Sequence, residues 1–188
     1  MRRLLQAAPF HLWVLIPFLL SACSGLGKPD MKGEINLSSQ LFGTESYYLF
    51  GFSYEKGELS KYPFTDETIP DIINEGFQVI EGSSARALPG FNTPGGINGF
   101  ALAGSFESQE EARTFFDSYD QVEDGLQFVV LSDSVKEHQV WVQQTSIGNY
   151  AKLLVKEVSS FPVESGRPYS EVVLDYVYQS DGSTAFPE

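Results

Sequence analysis

The side chains able to do acid–base, nucleophilic or metal chemistry are few in this chain. Cys23 is the only cysteine, and of the two histidines His11 lies in an apolar leader, leaving His138 for any folded domain. A Ser-His-Asp arrangement would have to use His138, which stands in Ser134-Val135-Lys136-Glu137-His138 ahead of a strand-like run. The chain holds no Gly-x-Ser-x-Gly elbow to present a nucleophile, so His138 reads as a loop histidine. Zinc prefers several His or Cys ligands, and one histidine does not supply them. Asp117, Asp120, Glu123 and Asp124 offer hard oxygens, but their spacing is not that of a twelve-residue calcium loop. They read as a solvated helix end. Among 25 acids a carboxylate pair of glycosidase type arises by number alone, so it carries no signal. Thr93-Pro94-Gly95-Gly96-Ile97-Asn98-Gly99 is glycine-rich, yet no Lys-Ser/Thr follows it and no helix opens from it, so it is not a phosphate loop. The remaining lead is aromatic. Tyr47, Tyr54, Trp141, Tyr150 and Phe161 could line a groove or could be core. His138, Trp141 and Tyr150 are the candidate ligand-binding residues. No catalytic residue, metal site or required cofactor is expected.

Cys23 is explained by what precedes it. Arg2 and Arg3 form a positive start, and Leu12 to Leu20 is an apolar run interrupted by Pro17. That run is short of the roughly 20 apolar residues a membrane span needs and has the layout of a secretory signal. Leu20-Ser21-Ala22-Cys23 resembles the lipobox of bacterial lipoproteins. The resemblance implies cleavage before Cys23, a diacylglycerol on its thiol, and acylation of the new amino terminus. Three acyl chains, each contributing roughly 0.8 kcal/mol per buried CH₂, make such an anchor effectively permanent. In lipoproteins of this kind an aspartate after the cysteine favours retention at the inner membrane. Ser24 therefore points to an extracytoplasmic, lipid-anchored protein of the outer membrane.

Removing residues 1–22 takes away two arginines and no acid. The mature chain then has 10 Lys and Arg against 25 Asp and Glu, a formal charge of −15. Such acidity opposes nucleic-acid binding, which needs basic groups to displace counterions. It also opposes polybasic contact with anionic lipid. Residues 23–40 read as a flexible tether carrying the lipidated cysteine, and 41–188 as one β-rich globular domain. About 150 residues bury roughly 68–70% of their unfolded surface, so no disulfide is needed.

The elements expected to position these groups are mostly strands. The 15 Phe and 9 Tyr fall largely in β-like runs. Ser46 to Tyr54 places Tyr48, Phe50, Phe52 and Tyr54 on one face, and Glu55 to Glu58 turns the chain into Leu59–Tyr62. A short helix or turn is expected at Ile72-Ile73, a strand over Phe77–Ile80, and a long loop over 82–98. Asn98–Phe106 and Gln127–Leu131 read as strands. Gln139–Thr145 and Tyr150–Val158 flank a turn at 146–149. Glu171–Tyr178 sets Val172, Leu174, Tyr176 and Tyr178 on one face. One amphipathic helix is expected near 109–119, with a Ser108-x-x-Glu111 capping box and Ala112, Phe115, Phe116 and Tyr119 as its stripe. The class is α+β, mostly antiparallel β, with a β-sandwich-like sheet.

Val140-Trp141-Val142, Tyr150-Ala151-Lys152-Leu153-Leu154-Val155, Val172 to Tyr178, Gln179-Ser180-Asp181-Gly182-Ser183 and Phe186 together resemble the closing strands of HmuY-like haem-binding lipoproteins. Phe50 to Gly57 is similar to an early strand-turn of that family. The resemblance spans about 50 residues and implies a β-rich outer-membrane lipoprotein with haem as a possible ligand. Haem iron in that family is held by paired histidines, sometimes by methionine. This chain departs from that pattern, since His138 is alone and Met31 falls in the expected tether. The resemblance thus implies fold and address more than haem. Three functions stay open. The first is a non-enzymatic binding or accessory domain serving a small ligand or an outer-membrane protein partner, with haem capture as its variant. The second is an envelope scaffold without a small ligand. The third, a hydrolase with paired carboxylates, ranks last.

Overall fold

The computed structural model describes residues 31–63, 68–82, 84–94, 96, 99–162 and 167–187. Its strands are β1 (Lys32–Ser38), β2 (Leu49–Ser53), β3 (Glu58–Tyr62), β4 (Ile72–Asn74), β5 (Phe77–Glu81), β6 (Ser84–Leu88), β7 (Phe91–Asn92), β8 (Phe100–Ser105), β9 (Gln139–Gln144), β10 (Tyr150–Phe161) and β11 (Tyr169–Gln179). The helix α1 (Gln109–Ser118) lies between β8 and β9. Three sheets result, ordered β1-β11-β10-β9-β8, β3-β2-β4-β7 and β5-β6, and every strand pairing is antiparallel. Among the described residues the chain is therefore mostly antiparallel β with one short helix.

The five-stranded sheet is apolar on both faces because its strands alternate between two cores. Val172, Leu174, Tyr176 and Tyr178 of β11 join Leu153 and Val155 of β10, Trp141 of β9 and Phe100 of β8 on one face. Phe52, Tyr54, Ile72 and Phe91 from the four-stranded sheet and its turns fill the other half of that core. Val140, Val142, Leu154 and Val177 project the other way, onto Ala112, Phe116 and Tyr119 of α1 and onto Val122 and Phe186. A bulge at Lys156 shifts the register between Val155 and Glu157, which lets Val158 keep facing the first core three residues after Val155.

The capped helix forms as its sequence predicts. Ser108 Oγ accepts from the Glu111 amide at 3.3 Å, and Ala112 and Phe116 are buried. The turn at 54–57 joins β2 to β3, and the turn at 145–149 is closed by Thr145 N donating to Asn149 O at 2.8 Å.

Four expectations are corrected. Residues 32–38, read as part of the 23–40 tether, are strand β1, because Ile35 and Leu37 bury against the first core while β11 supplies the hydrogen-bonding partner. Ile72-Ile73 is strand, not helix or turn, since it pairs with β2 and β7 inside a sheet. The stretch 82–98 is not a loop throughout, as it contains β6 and β7. Gln127–Leu131 is no regular strand. It makes single bridges, Val129 to Phe100 and Leu131 to Asn92, and so ties an edge of the five-stranded sheet to an edge of the four-stranded one.

Candidate functional site

The three candidate ligand residues lie in three places. Trp141 is core: it packs edge-on against Phe91, and its indole N–H donates to Gln139 Oε1 at 3.1 Å. Tyr150 faces the opposite side of the sheet, beside Phe128, and its hydroxyl accepts from Gln144 Nε2 at 2.9 Å. His138 occupies a left-handed corner, φ 64°, before β9, where its amide donates to Val155 O at 3.0 Å. Val155 is five residues from Tyr150 along β10, about 16 Å at strand rise. The three line no common cavity. The expected aromatic groove is likewise not assembled: Tyr54 and Trp141 are buried, whereas Tyr47 and Phe161 are exposed. Cys23 lies outside the described residues.

The acidic group after α1 borders a shallow depression lined by Tyr119, Asp120, Glu123 and Asp124 among others. Among the described residues no three His, Cys, Asp or Glu side chains group to hold a metal ion. At the margin of the first core, half-buried Asp71 accepts at Oδ2 from the Tyr54 amide at 2.9 Å, and the enclosed Tyr54 hydroxyl donates to Gln143 Oε1 at 2.8 Å. Burial raises the Asp71 carboxyl from 3.8 to about 6, opposed by its bonds from Tyr54 and Ser53. Burial, and then the Asp71 charge, also push the Tyr54 hydroxyl well above its usual value. These groups are structural, since Tyr54 and Gln143 are fully enclosed.

Some exposed apolar groups lie at the ends of strands, others at Leu102 and Val129–Leu131. At one end the chain enters through Met31, whose carbonyl accepts from Tyr178 N at 2.6 Å. At the other end β10 and β11 run on past β9, which stops pairing with β10 at Leu154. The overhanging ribbon ends in Phe161 and Tyr169, stacked at 4.8 Å and 17°. Beside it stands the β5–β6 ribbon, with Ile80 73% exposed. Arg167, in the connection at the tip of the β10–β11 ribbon, donates from Nη2 to Gly76 O at 3.3 Å, just ahead of β5. Glu157, Ser159, Ser160 and Phe161 are exposed, and the outer edge of β10 beyond Val158 carries strand amides and carbonyls. An apolar tip beside an open strand edge suits an extended segment of another protein. Sequence reasoning singled out Phe161 but missed Tyr169 and Ile80. The signal was available in relative strand length, which shows only once the pairing is known.

No known protein family and no curated protein matches this chain.

Proposed function

We propose that this is a membrane-anchored extracytoplasmic lipoprotein, acylated at Cys23, whose domain binds or assists an envelope partner and performs no catalysis. The observation that supports this reading most is the placement of Phe161, Tyr169 and Ile80 on two ribbons at the end opposite Met31. A protein held by Cys23, nine residues before Lys32, would present those ribbons outward. The outer membrane is the address, on the identity of Ser24. A sandwich-like arrangement of the five- and four-stranded sheets is part of this reading; side chains of both sheets meeting in the first core support it. Haem capture is the weaker variant, because His138, Trp141 and Tyr150 lie apart.

The test combines two measurements on cells making the full chain. Mass analysis of the N-terminal peptide reports whether Cys23 is acylated. Photo-crosslinking amino acids at Phe161 and Ile80 report contacts of the ribbons, with Glu110 on α1 as control. An acylated peptide and one discrete adduct from both ribbon positions, absent at Glu110, would support the reading. An unmodified Cys23 would remove the anchor, and equal labelling at all three positions would remove the ribbon surface.

A further inference from the structure

We infer that the anchored domain stands on the bilayer through its 145–149 turn, with Ile147 entering the lipid interface. This rests on the proposed acylation of Cys23.

The argument begins with the leash. Met31 lies eight residues after Cys23, and a fully extended chain spans at most about 3.3–3.6 Å per residue, so the leash reaches about 26–29 Å. Strand β11, with 11 residues, is about 36 Å long. A leash shorter than β11 excludes an upright domain with its ribbon end on the membrane, and so favours the end at which the chain enters as the membrane-facing one.

Register shows what that end carries. Met31 bonds to Tyr178, and Tyr178 pairs with Ala151 on β10. The turn leading into β10 is thus two strands away from the entry point, about 10 Å at the usual strand separation. Gly182 of the 180–183 turn lies against it, as a Cβ there would meet Asn149 Oδ1 at 3.8 Å and Gly148 O at 3.9 Å.

The turn itself is built for a fixed shape. Thr145 N donates to Asn149 O at 2.8 Å, Gly148 N donates to Thr145 O at 3.0 Å, Asn149 N donates to Thr145 Oγ1 at 3.1 Å, and Asn149 Nδ2 donates to the Tyr178 hydroxyl at 2.7 Å. Thr145 and Asn149 are buried, yet Ile147 at the apex is 63% exposed. Residues 143–150, Gln-Gln-Thr-Ser-Ile-Gly-Asn-Tyr, hold no charge in a chain of formal charge −13. An apolar residue displayed where turns ordinarily place Asn, Asp or Gly is explained by apolar surroundings at that point. The charged groups at the same end, Glu55, Lys56 and Glu58 at the β2–β3 turn and Asp181, are three acids and one cation, set around the uncharged turn.

The experiment uses the full lipidated protein in vesicles of phosphatidylethanolamine and phosphatidylglycerol containing doxyl-labelled lipid. Acylation consumes the only natural cysteine, so Ile147→Cys or Ile80→Cys supplies the one free thiol for an environment-sensitive fluorophore. The dye is the same at both sites, so its own affinity for lipid is controlled. Blue-shifted emission with loss of intensity to the doxyl lipid at 147, and water-like unquenched emission at 80, is the expected result. Water-like emission at 147, or quenching at 80 instead, with the Cys23 peptide acylated, would overturn this orientation while leaving the anchor in place. An unacylated Cys23 peptide in the same sample would overturn the anchor and the orientation together.

Discussion

Lys152 Nζ lies 2.7 Å from the carbonyl oxygen of Phe116, so a strand lysine closes the C-terminus of the helix that packs over it. The same ammonium donates to Tyr119 O at 2.8 Å and sits 4.7 Å from the Phe116 ring centroid. Helix α1 has no basic residue in its own last turn, so β10 supplies the positive charge that the negative end of the helix dipole favours. Burial pushes the Lys152 amine below its usual value, and Asp117 and Asp120 push it back. Lys152→Met keeps the stem and removes the donors. Thermal unfolding should show a loss of about 2–3 kcal/mol, or about 4–12 °C for a domain of this size. An unchanged melting temperature would mean that desolvation of the lysine cancels its bonds.

Asp71 gives the domain a stability that depends on pH. Its folded value of about 6 lies above its unfolded value of 3.8. Between those values the folded state binds more protons than the unfolded state, so stability falls as pH rises through that window. Asp71→Asn retains an oxygen to accept the Tyr54 amide and removes the buried charge. The variant should match the parent near pH 4 and exceed it above pH 6, by about 1–3 kcal/mol. Urea midpoints from pH 4 to 8 test this, and parallel curves for the two proteins would refute it.

The parts of the fold legible in the sequence are those fixed by neighbours along the chain. The Ser108–Glu111 cap, the β2–β3 hairpin and the 145–149 turn all depend on residues within a few positions of one another. Strand β1 escaped because Lys-Gly-Glu-Ile-Asn-Leu-Ser contains only two apolar residues and owes its order to β11, far along the chain. Strand β4 escaped because it is three residues long and wholly buried, which leaves no alternation to read. Gln127–Leu131 misled for the opposite reason: its composition is β-like, but its partners belong to two different sheets. The candidate surface was barely legible. Trp141 and Phe161 are both aromatic residues in strands, and only the length of β10 beyond β9 separates the buried one from the exposed one.

The irregular 127–131 segment depends on Gly99. A Cβ there would lie 1.9 Å from the Val129 carbonyl oxygen and 2.9 Å from Val130 Cα, both backbone atoms that cannot step aside alone. Phe100 and Val129 exchange two amide bonds, of 2.7 and 2.9 Å, at that point. Gly99→Ala should therefore cost about 2–4 kcal/mol and speed amide exchange at Phe100 and Val129. Gly125→Ala is the contrast. It has φ +86° and no atom within 4 Å of the added Cβ, so it should cost only the left-handed backbone penalty of about 1–2 kcal/mol. Equal losses in the two variants would remove close approach as the reason for Gly99.

Asn74 joins the two larger sheets by hydrogen bonds. Its Nδ2 donates to Leu37 O at 3.1 Å and to Ser170 O at 3.0 Å, and its Oδ1 accepts from Gly90 N at 3.3 Å. Ser39 and Ser170 complete the cluster, with Ser170 N donating to Ser39 Oγ at 2.8 Å. Asn74 is fully enclosed, so losing its amide leaves enclosed groups unpaired rather than handing them to water. Asn74→Ala should destabilise by about 2–4 kcal/mol. Asn74→Asp should do worse at neutral pH, since a carboxylate would face the oxygens of Leu37 and Ser170. Protonation restores one donor, so the aspartate variant should regain stability as pH falls, opposite to the usual acid sensitivity of a paired carboxylate. Chemical unfolding of both variants at pH 4.5 and 7.5 distinguishes this from simple loss of volume, which would leave Asn74→Asp near the parent at both values.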